Sequence, residues 1–202
     1  MNGCTIKLWE GHMIKKTWIA TACASTLIFA SVSFADEVTD LLQEAIEAYE
    51  QGDLTLVKEN LAYTTQLLNQ KSADSIAAAL PEPFDGWAAD DAEASSGAAG
   101  LFGGGVQASR TYTQGDSRVE ISITGESPLM SQMLMIMSNP AMAGSMGKMI
   151  RIGKQRGIQS QDGDTVTLIF NNRLLITIEG RSSIEDKVAY AEAIDYDTLQ
   201  KL

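Results

Sequence analysis

The residues in this chain best suited to do chemistry carry sulfur or carboxylate. Met130, Met133, Met135, Met137, Met142, Met146 and Met149 crowd into one short stretch. Thioethers are soft ligands that select Cu(I). They also fill irregular cores or form pliable apolar contact surfaces, because the side chain is unbranched and polarizable. Met130, Met133 and Met137 share a face at helical spacing, and Met142, Met146 and Met149 share another if their stretch is helical. Met133 and Met137 are the candidate copper pair; packing in a core is the plainer expectation. No catalytic or cofactor-binding residue is assigned, and no cofactor is expected.

Carboxylates outnumber cations, 26 Asp and Glu against 15 Lys and Arg. Two acids facing across a cleft would serve as the acid and base of a glycosidase-type hydrolase, but spacing singles out no pair. Asp162-Gly163-Asp164 reads as a turn, since the ligand spacing and closing Glu of a calcium loop are missing. Arg110 and Tyr112 alternate with Ser109 and Thr111, so on a strand they point the same way. They would line an anion site, or Arg110 would pair across strands with Glu120 or Asp116. Trp87 is either a stacking platform or a core anchor. Gly103-Gly104-Gly105 lacks the lysine of a phosphate-binding loop.

The start of the chain has a different purpose. Met13-Ile14-Lys15-Lys16, the mostly apolar run Thr17 to Phe34, and Ser33-Phe34-Ala35 before Asp36-Glu37 have the order of a secretory signal peptide, with cleavage expected after Ala35. An uncleaved anchor and a lipoprotein signal ending at Cys23 are the weaker readings, and either Met1 or Met13 would serve as the start. Cleavage removes Cys4, Cys23 and His12, leaving neither cysteine nor histidine. Structural zinc, thiol redox chemistry, a disulfide framework and Ser-His-Asp or Cys-His catalysis are then excluded. The net charge of −11, which becomes −13 without Lys7, Glu10, Lys15 and Lys16, disfavours nucleic acid and anionic lipid. The mature chain is expected not to span a membrane.

Behind these residues the sequence predicts an α+β fold: a helical hairpin over 36–80, a Pro- then Gly-rich connector over 81–105, and over 106–202 a mainly antiparallel sheet with a crossing helix and a C-terminal helix. Val38, Leu41, Leu42, Ala45, Ile46 and Tyr49 keep helical spacing; Gly52-Asp53 breaks the helix and caps the next, which carries Leu54, Val57, Leu61 and Leu68. Ala48 to Asp53 is similar to the turn of tetratricopeptide-type repeats, but a single unit makes no solenoid. Ser72 to Leu80 reads as a short helix or a frayed end, and residues 88 to 105 as a loop. Val119, Ile121 and Ile123 alternate with polar residues opposite Val106 to Thr113, a hairpin with one buried face. A helix opens at Ser127-Pro128 and ends at Asn139-Pro140, followed by a small-residue stretch. Strands follow over 149–152, 155–161, 165–170 and 173–179, the last two joined by Asn171-Asn172. A closing helix over 183–194, with Ser183 as its cap, is expected to present Val188, Ala189, Ala191 and Ala193 near one side.

Leu80-Pro81-Glu82-Pro83 to Gly86-Trp87, the run into Gly103-Gly104-Gly105, Ser109-Arg110-Thr111-Tyr112, Ser127-Pro128-Leu129 to Asn139-Pro140, and Tyr190 to Asp195 together resemble a family of uncharacterised exported proteins of Gram-negative bacteria. The resemblance spans most of the mature chain. It implies a periplasmic address and no particular activity. The expected function is a periplasmic, non-enzymatic binding or accessory protein whose partner is a protein or an apolar ligand. A methionine-based Cu(I)-handling protein and a carboxylate-dependent hydrolase are the alternatives.

Overall fold

The computed structural model describes residues 34–97, 105–125, 135–136 and 139–202. Helix α1 (Phe34–Glu50) and helix α2 (Leu54–Ala78) form the expected antiparallel hairpin. Gly52 sits at φ +81°, a conformation that favours glycine. Asp53 then caps α2, its carboxylate accepting hydrogen bonds from the Thr55 and Leu56 amides at 3.1 Å. Ser72 to Ala78 is not a separate helix but the last two turns of α2, where Ala73 and Ile76 are fully buried. Pro81 and Pro83 lie just past its end, where proline cannot continue a helix.

The rest is built around one antiparallel sheet. Its strands are β1 (Ala88–Ala89), β2 (Glu93–Ser96), β3 (Val106–Gln114), β4 (Ser117–Gly125), β5 (Gly147–Ile152), β6 (Gln155–Ser160), β7 (Thr165–Phe170) and β8 (Leu174–Glu179). The order is β1-β3-β4-β8-β7-β6-β5, with β2 also paired to β3. Val119, Ile121 and Ile123 of β4, Val166 and Leu168 of β7, and Ile176 and Ile178 of β8 are sealed from water on one face, as period-2 alternation requires. Ile121 stands opposite Ile178, and Ile176 lies between Ile123 and Leu168. Full burial of each such side chain is worth roughly 1.5–3 kcal/mol. Asn171 and Asn172 take φ +51° and +55°, the left-handed turn that asparagine tolerates.

Helices α3 (Pro140–Met146), α4 (Ile184–Glu192) and α5 (Tyr196–Leu199) follow, and residues 135–136 are helical too. The C-terminal part of α2, together with α4 and α5, supplies Ala73, Ile76, Tyr190, Ala191 and Leu199 to the sheet's core face. Among the described residues no helix is long and apolar enough to cross a membrane.

Three expectations need correction. Residues 88–97 are not a loop: β1 and β2 pair antiparallel with β3, Ala89 opposite Tyr112 and Ala94 opposite Ala108. Residues 135–136 are helical, the rest of the run over 127–138 lies outside the described residues, and Asn139-Pro140 opens α3, with the Asn139 side chain accepting from the Ala141 amide at 3.1 Å. Helix α4 does not bury Ala189 or Ala193, which are exposed; its inner face is Lys187, Tyr190 and Ala191, followed by Ile194. Lys187 can lie there because its apolar stem is covered while Nζ donates to the Gly163 carbonyl at 3.2 Å. Met142 and Met146 share a helix, whereas Met149 stands on a strand. The leader and most of the crossing helix lie outside the described residues.

Candidate functional site

Met133 and Met137, the candidate copper pair, lie outside the described residues, as does Met130. The methionines that are described do not fill a core: Met135, Met142, Met146 and Met149 are all exposed. Core packing, the plainer expectation, does not hold for these four. Three of them border the β5 end of the sheet, where no further strand pairs among the described residues. Strand β5 is the terminal strand, α3 leads directly into it, and the Gln161 side chain ties the Ser145 carbonyl to the β6–β7 turn with a 2.9 Å hydrogen bond.

The β5–β6 hairpin adds charge to this apolar edge. Its register sets Met149 opposite Ile158 and Arg151 directly opposite Arg156. Like charges facing across a strand pair oppose folding and call for a counter-charge. Neither arginine has one: Lys148, Arg151, Lys154 and Arg156 form no ion pair with any described residue, and Arg151 Nε donates only to the Gly153 carbonyl at 2.9 Å. Met149, Ile150, Arg151, Lys154, Gln155 and Arg156 line a shallow concavity of about 450 Å³. Glu192, the acid whose carboxylate reaches the β5–β6 turn, accepts from the Gly153 amide at 2.8 Å. A surface cation cluster beside exposed thioethers and Ile150 can hold an anionic group at one end and apolar matter at the other.

Net charge concealed this site from sequence reasoning. From Ser127 to Gln161 there is no acidic residue, and Lys148, Arg151, Lys154 and Arg156 are the only charges. A windowed charge count would have exposed a cationic segment inside an acidic chain.

The other candidates are structural. Arg110 and Tyr112 do point the same way, but into the protein. Tyr112 Oη donates to the Pro81 carbonyl at 2.7 Å, and Arg110 Nη1 reaches the same carbonyl at 3.1 Å and Glu82 at 3.3 Å. Arg110 therefore does not pair with Glu120 or Asp116. Glu120 stands opposite Thr111 and takes Arg118 at 2.7 Å. The Tyr190 ring lies 4.3 Å from Tyr112, 4.4 Å from Phe84 and 5.3 Å, edge-on, from Trp87. Trp87 is thus a core anchor that pins the proline-rich connector. Burial raises the Tyr112 phenol well above its ordinary range, and burial likewise pushes Tyr196 up to about 12.

Glu120 and Glu179 face each other across β4 and β8, on a surface shared with Asp116, Arg118, Asp164 and Arg181. That surface is open to water and interleaved with arginine, not the enclosed pair of a hydrolase. Asp162 builds the expected turn, accepting from Ser160 Oγ and from the Asp164 amide, and these bonds hold its carboxyl below the usual range. Among the described residues no group of His, Cys, Asp and Glu is arranged to hold a metal ion. Comparison with family models, curated proteins and solved structures finds no match to this chain.

Proposed function

We propose that this chain is an exported, non-enzymatic binding protein whose ligand joins an anionic group to an apolar part. The observation that carries this reading is the unpaired Arg151–Arg156 couple beside exposed Met149 and Ile150. The arginines provide planar donors for carboxylate or phosphate, and the thioethers accept apolar chains of variable shape. The periplasmic address rests on the signal-like leader and on the resemblance to exported Gram-negative proteins. Titration with an alkyl phosphate and with a neutral alkyl glycoside of equal chain length tests the reading. The phosphate amphiphile is expected to bind more tightly, and R151E/R156E to abolish the difference. Equal affinity for both amphiphiles, or binding indifferent to the double substitution, contradicts it.

A Cu(I)-handling role is a second reading, favoured by Met142 and Met146 standing exposed one helical turn apart with Met149 close in sequence. Cu(I) titration under reducing conditions tests it: stoichiometric uptake lost in M142A/M146A supports it, and no uptake removes it.

A further inference from the structure

The helical hairpin carries a second apolar surface, remote in sequence from the methionines. Among the described side chains of helix α1, only Ala45 and Ala48 are thoroughly buried against α2, while Leu42, Ile46 and Tyr49 stay exposed, Ile46 to 54% and Tyr49 to 68%. These three recur at i, i+4 and i+7 and so form one stripe. On α2 the exposed Leu54, Leu61 and Leu68 recur every seven residues and form another. Both stripes follow their helix's buried positions in the same rotational sense, which in an antiparallel pair places them on the same face of the hairpin. Tyr63 and Glu37 precede the buried positions in that sense, and they meet on the opposite face through a 3.3 Å hydrogen bond.

Six side chains of this size, fully covered, would remove on the order of 600 Å² from water per copy. Two copies give about 1,200 Å², the lower bound of a specific protein interface before flanking polar residues are counted. The edges of the face identify the partner. Glu50, one turn beyond Ile46, borders the α1 stripe; Lys58, between Leu54 and Leu61, borders the α2 stripe, and it makes no ion pair with a described residue. Both lie near the Gly52-Asp53 turn. A two-fold axis running along the hairpin lays α1 of one copy against α2 of the other, with both turns at the same end. Glu50 of each copy then stands beside Lys58 of its neighbour. Asp40, Glu44 and Glu47 recur at i, i+4 and i+7 on the other side of α1, where an assembled bundle meets water.

We propose that the occupant of this face is a second copy of the chain, and that two hairpins close into an antiparallel four-helix bundle. Such an interface is isologous: every neighbouring helix pair is antiparallel, and each ion pair occurs twice. The proposal is independent of the ligand at β5–β6, which lies in other residues.

Native mass spectrometry and sedimentation of the purified protein over the micromolar range test it. A dimer is expected. I46E and L61E, each at an exposed position, should raise its dissociation constant more than about a hundredfold with the circular dichroism unchanged. K58E should weaken it about tenfold, and E50K/K58E should restore it, because the swap rebuilds both pairs. A monomer throughout that range overturns the proposal, whether residues 1–33 or a foreign protein cover the face. A dimer indifferent to I46E and L61E, or a charge swap that fails to rescue K58E, overturns it equally.

Discussion

Strand β8 and helix α1 are both rich in apolar residues at regular spacing, yet they end in opposite environments. Ile176 and Ile178 are sealed by neighbours on either side in the sheet and by helices above it, whereas Ile46 and Tyr49 face water. The sheet supplies each inward residue with partners from several strands, so period-2 alternation is enough to bury it. Among the described elements, helix α1 packs appreciably on α2 alone. Its broad apolar face is wider than one neighbour can cover, and two-helix hairpins leave such a remainder by geometry. The shared interior of the hairpin is also imperfect. Asn60 and Thr64 are buried there, 8% and 4% exposed, and Asn60 Nδ2 and Thr64 Oγ1 have no hydrogen-bond partner among the described residues. A residue's apolarity does not fix its burial; the number of elements arriving at its face does.

Truncation should separate the two regions most strongly. Ile176→Ala is expected to cost about 2–5 kcal/mol, since the cavity is enclosed on all sides, and Ile46→Ala within about 0.5 kcal/mol in dilute protein. Chemical denaturation of both variants checks the contrast, and equal losses would break it. Next in size is Tyr112→Phe, expected to destabilise by about 1–2 kcal/mol through loss of the bond to Pro81. The phenols of Tyr112 and Tyr196 titrate above their unfolded value near 10, so the folded state favours their neutral forms. Their contribution is complete below pH 10 and declines as pH rises through about 12. Tyr112→Phe should therefore move alkaline unfolding to higher pH relative to neutral stability, as a pH series of thermal melts would show. The smallest effect sharpens the account of the hairpin. Thr64→Val replaces an unpartnered hydroxyl by a methyl of the same shape and should stabilise by about 1 kcal/mol, read as a raised midpoint.

Much of this architecture was legible wherever local chemistry decided the outcome. Asp53 after Gly52, the alternation of Val119, Ile121 and Ile123, and Asn171-Asn172 each have one conformation that satisfies their backbone, and the fold adopts it. The strand state of Ala88–Ala89 and Glu93–Ser96 was not legible, because small residues with no alternation take their conformation from pairing to β3. The buried face of α4 was misassigned for a related reason. Alanines are indifferent to burial, whereas the long stem of Lys187 and the Tyr190 ring reach partners that only the tertiary structure brings near. The Arg151–Arg156 couple escaped notice because it exists only as a cross-strand register, five residues apart in sequence. Of the described methionines, Met149 lines the concavity beside that couple, and Met142, Met146 and Met135 are exposed as well instead of filling a core.

The account rests on the hairpin being the incompletely packed region of the molecule, completed only by association. Hydrogen exchange measured residue by residue at low and at high protein concentration tests this most directly. The amides of α1 and of Leu54 to Leu68 should exchange quickly in dilute protein and become protected on concentration, while β4, β7 and β8 stay protected in both. Hairpin amides as protected as the sheet in dilute protein, or indifferent to concentration, would contradict it.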